Sequence, residues 1–454
     1  MNFKGKKVVV AGLGLSGKAL CRVLSQMGAD VCAYDSKPEK EIIDTLAELK
    51  EYNINICLEE IPDSIFEDVC MLVVSPGIPM DSQIIKKAIE EEIEVIGEVE
   101  LAYEVSKAPI YAITGTNGKT TTTSLLGEIF KNYGKKTFVA GNIGYPLIDA
   151  VMEAQSIDVI VAEISSFQLE TIKKFKPKIS SIINITPDHL NRHKTLDNYV
   201  NIKGRIFENQ DMDCYTILNY DDGNVRKLFN KPKCRIFPFS RMSILNKGTF
   251  LKNGMIYIKS NGEEIPVIKT EDIYIPGGHN VENAMVAVSM AYLAGVDIDT
   301  ISYTLKTFKG VEHRIEFVKQ INGVKYFNDS KGTNPDAAIK AIEAMNGPII
   351  LIAGGYDKGV DFDEFVKAFK GRVVKVILLG TTAKKIFDTA VKYNFEKDNI
   401  IIVDSFEEAV HKAFEMSKPG DNVLLSPACA SWDMFKSFEE RGRFFKDMVK
   451  ELRG

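Results

Sequence analysis

The sequence contains no apolar run approaching the roughly 18 residues that a membrane-spanning helix needs, so no bilayer insertion is expected. It has no excess of positive charge: 57 Lys and Arg stand against 62 Asp and Glu, a net charge of -5, which excludes a chain whose main partner is nucleic acid. Paired cysteines are missing. The seven, Cys21, Cys32, Cys57, Cys70, Cys214, Cys234 and Cys429, are odd in number and scattered without a CxxC, which points to reduced thiols packed as small apolar groups. Internal repeats and low-complexity tracts are also absent, and 45% apolar with 26% charged residues excludes disordered, collagen-like and coiled-coil classes. The opening MNFKGKKVVVAGLG has no small-residue cleavage site and breaks into glycines, so it reads as a first strand, and a cytoplasmic chain is expected.

What is present is a long alternation of short β-branched runs with helical patterns, the signature of parallel sheets covered by helices. Such runs are KVVVAG (7–12), ADVCAYD (29–35), MLVVSPG (71–77), PIYAITG (109–115), VIVAEIS (159–165), ISSIINI (179–185), PIILIAGG (348–355), VVKVILLG (373–380) and NVLLSP (422–427). Between 248 and 275, residue alternation with Asn253-Gly254 and Asn261-Gly262 predicts antiparallel hairpins, placed as an appendage to a middle domain. Strands starting near 6, 109 and 348 each restart a βα pattern suited to phosphate, so three α/β domains are expected, 1–97, 98–310 and 311–454. The first and third are expected to be Rossmann-like, and the central one a mononucleotide-binding parallel-sheet ATPase domain.

Gly12-x-Gly14-x-x-Gly17 follows a strand and opens a helix, as a dinucleotide fingerprint does, and Asp35 lies about 18 residues further on, where an acid commonly holds a ribose hydroxyl. Ser75-Pro76-Gly77 faces the same crevice and could complete a site for another nucleotide; tight turns alone are a third reading. The loop Thr114-Gly115-Thr116-Asn117-Gly118-Lys119-Thr120 is more specific. Its backbone N–H groups would cradle phosphates, Lys119 would reach the β/γ oxygens and Thr120 would hold magnesium, although Ile113 stands where a strict P-loop has its first glycine. Glu163, ending the strand IDVIVAE, sits where P-loop proteins keep a metal-holding acid, or else caps the turn at Ser165-Ser166.

TGTNGKTT (114–121), GNIG (141–144), EISSFQLE (163–170) and TPDHLNRH (186–193) together resemble the Mur ligases, which use ATP to join amino acids to a UDP-linked muramoyl precursor of peptidoglycan. His313-Arg314, NDSKGTN (328–334) and SPACASWDMFKSFEERG (426–442) resemble the D-glutamate-adding branch of that family, and the likeness runs the whole chain in order. The resemblance implies that ATP phosphorylates the carboxylate of UDP-N-acetylmuramoyl-L-alanine, and that D-glutamate attacks the acyl phosphate through a tetrahedral intermediate. All these species are anions, so metal ions and lysines must offset their repulsion.

By the same resemblance, Gly115, Thr116, Asn117, Gly118, Lys119, Thr120 and Thr121 hold the ATP phosphates. Thr120 and Glu163 hold one Mg2+, and His189 and Lys203 a second. Lys203 alone would read as a solvated helix lysine; the family carries a carbamylated lysine at the matching position, an anion able to bind metal. Asn142 faces the metal and the reacting carboxylate. Asn280 and Asn283 would read adenine, although helix capping by Asn280 fits equally well. His313 and Asp329 go to the ribose, Arg314 and Lys331 to the phosphates or acyl phosphate, and closure of one domain onto another is implied. Thr333, Lys358, Ser431 and the Phe438 backbone take the D-glutamate carboxylates; Trp432 beside them is a bulky residue of unassigned contacts. Gly14, Leu15, Ser16, Asp35, Ser36, Ser75, Gly77 and Asn142 fall on the UDP-substrate side. A monomer is expected.

Competing readings are weaker. A nicotinamide dehydrogenase would rest on GLGLSG and Asp35 and leave TGTNGKT unexplained; a non-catalytic nucleotide-gated protein would not need Lys, His and Glu at so many strand ends. Folylpolyglutamate-type ligases share the ATP loop but lack the UDP-type first domain. His189-x-x-x-His193 has zinc-pair spacing, yet it lacks the Glu of HExxH, and Pro187 and Asn191 suggest a loop.

Overall fold

The computed structural model describes residues 3–143 and 145–453, the side chain of Asn191 excepted. Gly144, the last residue of GNIG, lies outside the described residues. The chain divides into two compact units, Met1–Ile273 with Glu282–Thr307, and Tyr274–Val281 with Phe308–Gly454.

The first unit carries two sheets. One has five parallel strands in the order Asn55–Leu58, Asp30–Asp35, Lys7–Ala11, Val69–Val74, Glu94–Gly97. The order reverses on either side of Lys7–Ala11, so the loops after that strand and after Val69–Val74 part to form the crevice where doubly wound sheets bind ligands. Gly17 is required there, because a Cβ at that position would run into the Gly12 carbonyl where helix Leu15–Gln26 meets the strand.

The second sheet has nine strands: Glu263–Lys269, Met255–Ser260, Gly248–Lys252, Arg235–Ser240, Tyr215–Asn219, Ile179–Ile182, Ile110–Thr114, Val159–Glu163, Thr137–Gly141. The three strands of 248–269 turn back at Asn253-Gly254 and Asn261-Gly262, all four residues at positive φ, as two-residue primed turns require. They are continuous with the main sheet, because Gly248–Lys252 pairs in parallel with Arg235–Ser240. The register brings Glu163 level with both Ile113 and Gly141, and Thr114 level with Ile182, so four strands deliver their carboxyl ends to one place. One apolar cluster, from Phe3 to Cys234, underlies both sheets. Each fully buried Val, Ile or Leu in it contributes about 1.5–3 kcal/mol.

The second unit has a six-stranded sheet: Glu316–Ile321, Val324–Asn328, Asn422–Leu425, Ile349–Gly354, Val373–Leu379, Ile400–Ile402. The first pair is antiparallel and the rest parallel. Asn422–Leu425 lies between strands that precede it in sequence, so the segments following Asn328, Leu425 and Gly354 emerge side by side: Asp329 N donates to Leu425 O at 2.7 Å, and Gly354 N to Pro427 O at 2.9 Å.

Candidate functional site

The loop after Ile110–Thr114 opens helix Lys119–Asn132 through Gly118, at φ 85°. A Cβ on Gly118 would collide with the Asn283 side-chain oxygen, so the loop closes against helix Gly278–Leu293 only because this residue is glycine. Asn283 also accepts from Thr122 Oγ1 at 3.2 Å. Lys119 Nζ donates to the Gly115 and Thr116 carbonyls, 2.9 Å each, lying across its own loop. Thr120 and Thr121 are buried in the first helical turn.

Beside the loop, Glu163 is 2% exposed. Its Oε1 accepts from Asn142 Nδ2 at 2.9 Å, while Oε2 is buried with no hydrogen-bond partner among the described residues. Leaving such an acceptor unmet costs about 1–3 kcal/mol, more if charged. The capping alternative for Glu163 is overturned: Ser165 caps helix Ser166–Leu169 in a capping box closed by Gln168.

Lys203 corrects the expectation of a solvated helix lysine. It lies on Leu196–Gly204, is 1% exposed, and donates to Gly115 O at 2.9 Å with Tyr199's ring 4.7 Å away. Burial holds its pKa well below the usual lysine value and Lys119 pushes the same way, against Asp188 and Glu163. His189, at φ 51° and half-exposed, stands 3.5 Å from Asp188; burial lowers its pKa, and Lys203 and Lys119 add to that. The structure thus brings Lys119, Asn142, Glu163, His189 and Lys203 around one loop.

Leu190–His193 is one helical turn rather than a loop, because His189 in the left-handed region starts it, and His193 points inward to Ser166 Oγ at 3.0 Å and Glu170 at 3.4 Å. Among the described residues, the His/Cys/Asp/Glu group with atoms close enough to share a metal is Glu312, His313 and Glu316, and Lys446 already sits on both carboxylates, at 2.5 and 3.0 Å.

In the first sheet's crevice, Asp35 Oδ2 accepts from Leu13 N at 2.7 Å and Oδ1 from Lys37 N at 3.0 Å, so this carboxylate shapes the glycine loop. Ser75 Oγ donates to Gly12 O at 2.6 Å, tying the crevice's two loops together. Ser16 Oγ donates to Glu98 Oε2 at 2.7 Å. Gly14, Leu15, Ser36 and Gly77 are exposed at its rim.

In the second unit, a 290 Å³ cavity is lined by Asn280, Lys309, Arg314, Ile315, Phe317 and Phe327 among others. Asn280 is not the helix cap: it lies inside Gly278–Leu293 and its Nδ2 donates to Pro276 O at 2.6 Å. His313, at φ 64°, is fixed through Nδ1 by Asn328 Nδ2 at 2.9 Å; its Nε2 is buried without a hydrogen bond among the described residues, 3.7 Å from Glu312 Oε1. Asp329 accepts from Ser426 Oγ at 2.7 Å and Ile315 N at 3.2 Å; burial pushes its pKa up to about 7. Lys331 lies over the Phe438 ring at 5.6 Å and Thr333 N donates to Lys331 O. Ser431 is buried, and Lys358 lies over Trp432.

Three holding residues escaped the sequence reading. Asn184 accepts from Asn117 N at 2.9 Å and donates back to Asn117 O at 3.2 Å, bracing the phosphate loop; an amide inside the apolar run IINI was its signal. Arg192 clasps Glu170, donates to Pro76 O at 3.3 Å and Ile78 O at 3.0 Å, and stacks on Phe167 at 4.2 Å. Arg441, 1% exposed, binds Ser330 and the Cys429 carbonyl, and burial lowers its pKa to about 10. Single charged residues in polar segments gave no pattern for the last two.

Three families match in succession: the Mur ligase MurD-like N-terminal domain at 6–97, the Mur ligase middle domain at 113–291 and the Mur ligase glutamate ligase domain at 313–429. The chain is 65% identical over 453 residues to the UDP-N-acetylmuramoylalanine--D-glutamate ligase of Thermoanaerobacter sp. (strain X514), covering all of both chains. It is 48% identical over 455 residues to the protein of that name from Clostridioides difficile (strain 630), again covering all of both. Solved structures with the same fold include a pseudomurein peptide ligase type C from Methanothermus fervidus (21% identity, TM-score 0.58, 98% of this chain and 100% of that one). UDP-N-acetylmuramate-alanine ligase MurC from Thermotoga maritima is another (19%, TM-score 0.59, 98% and 99%). The chain belongs to the Mur ligase family, within the branch of the UDP-N-acetylmuramoylalanine--D-glutamate ligases.

Proposed function

We propose that this protein joins D-glutamate to the L-alanyl carboxylate of UDP-N-acetylmuramoyl-L-alanine, with ATP hydrolysed to ADP and phosphate, in peptidoglycan precursor synthesis. The observation that carries the reading is 65% identity along the whole chain to ligases of that name. Residues 1–97 hold the UDP-substrate, 98–310 ATP and metal, and 311–454 D-glutamate, in a monomer acting in the cytoplasm.

The donor set fits Mg2+, a hard cation that takes oxygen ligands: Glu163 Oε2 is a buried oxygen with no hydrogen-bond partner among the described residues, and Thr120 supplies a hydroxyl at the helix start. Bound there, Mg2+ would neutralise charge on the phosphates. The N–H groups of 115–121 cradle the β/γ-phosphates, and Lys119 swings from its loop carbonyls onto them. Asn142 holds Glu163 through one oxygen, which would leave the other for the metal, and Asn142 would meet the reacting carboxylate.

Lys203, as its carbamate, and His189 would hold a second ion. A buried amine kept neutral attacks CO2: its nitrogen forms the N–C bond, one C=O electron pair moves to oxygen and a proton leaves to solvent. The product places an anion beside Lys119, where a protonated Lys203 would be a second cation. Asn280 and Asn283 take adenine, and His313 and Asp329 hold the ribose. Arg314 and Lys331 stabilise the transferred phosphoryl and acyl phosphate, and Thr333, Lys358, Ser431 and Phe438 the amino-acid carboxylates. Gly14, Leu15, Ser16, Asp35, Ser36, Ser75 and Gly77 line the UDP side.

Calorimetry on Lys119→Ala tests this division: ATP binding falls while UDP-substrate binding persists. Loss of both together would overturn it.

A further inference from the structure

Trp432 is the chain's single tryptophan, and it is 62% exposed. A side chain with so large an apolar area normally finds cover, so its place at the surface calls for a reason. Its position follows from the sheet. Tyr356 follows strand Ile349–Gly354, and Ala430 stands in the segment after Asn422–Leu425; the two pair as an isolated antiparallel bridge, with Tyr356 N donating to Ala430 O at 3.0 Å. That bridge sets the Tyr356 and Trp432 rings 5.6 Å apart and inclined at 54°. Lys358, two residues past Tyr356, lays its ammonium over the Trp432 ring at 4.9 Å. Among the described residues it has no carboxylate partner, although Asp357 beside it is paired with Lys385.

We propose that Trp432 is a positioning residue for D-glutamate: its ring parks the Lys358 ammonium where the incoming carboxylate is taken up. This rests on the reading of Lys358 as a D-glutamate residue. An aromatic face suits the task better than an acid would. It orders a long flexible side chain through a weak attraction that a carboxylate outcompetes, and it adds no negative charge to repel the amino acid. Tyr356 backs the indole so that it does not swing away.

Two measurements on the full-length protein test this. Because Trp432 is the one tryptophan, intrinsic emission reports on it directly. With UDP-N-acetylmuramoyl-L-alanine and a non-hydrolysable ATP analogue present, D-glutamate changes the emission saturably and L-glutamate does not. In steady state, Trp432→Ala raises KM for D-glutamate about threefold to fivefold, with kcat and the other two KM values within about twofold, and Trp432→Phe restores most of the loss. Unmoved emission, or an unchanged KM for D-glutamate in Trp432→Ala, overturns the proposal. Lys358→Ala separates the two levels: if it raises that KM while Trp432→Ala does not, only the role of Trp432 falls. If it too leaves KM unchanged, the assignment of Lys358 falls with it.

Discussion

Lys203 Nζ donates to the Gly115 carbonyl at 2.9 Å, so a lysine some ninety residues beyond the phosphate loop is pinned to that loop's first glycine. Placed so, and deprived of solvent, it cannot serve as an ordinary surface cation.

Replacing Lys203 by Ala is expected to lower turnover at least about a hundredfold, as loss of a metal ligand does. Carbon-13 NMR after incubation with labelled bicarbonate should give a carbamate signal in the wild type that the variant lacks. Full activity in Lys203→Ala would contradict the assignment.

Glu163→Gln separates stability from function. The Asn142 bond survives and an amide N–H group takes the place of the unmet oxygen, so the stability of the metal-free protein should change by no more than about 1 kcal/mol. Turnover should fall and its Mg2+ requirement rise. A Tm loss with unaltered Mg2+ dependence would refute a metal-holding role.

Arg192→Ala removes the guanidinium that joins Glu170 to the Pro76 and Ile78 carbonyls. Stability should drop by about 1.5–3 kcal/mol, the range for hydrogen bonds to charged groups. KM for the UDP-substrate should rise while KM for ATP stays within about twofold, because the freed carbonyls flank Gly77; equal rises in both would show general damage instead.

Asp329 predicts a pH trend. Burial pushes its folded pKa up to about 7 from the ordinary aspartate value of 3.8, so the folded chain binds this proton more tightly. The contribution to stability is fully present below the unfolded pKa, declines between about pH 4 and 7, and is lost above that. Urea midpoints at pH 5 and 8 should differ less in Asp329→Asn than in the wild type.

How much was legible in the sequence follows from where each signal lies. Loops that follow β-branched strands with glycines, as at 12–17 and 114–120, announce themselves locally, and the Asn-Gly turns at 253 and 261 did the same for the hairpins. Lys203 did not: its burial depends on Gly115, Tyr199 and Lys119, which adjacent residues cannot reveal. Arg192 and Arg441 were silent for the same reason, since each earns its place through carbonyls of distant loops. Asp35 was legible as a crevice acid, while its bond to the Leu13 N–H emerged only from the fold.

The central claim is tested most directly by phosphate release from ATP in a coupled assay. Release is expected only when UDP-N-acetylmuramoyl-L-alanine and D-glutamate are both present; equal rates with L-glutamate or L-alanine in place of D-glutamate would contradict D-glutamate ligation.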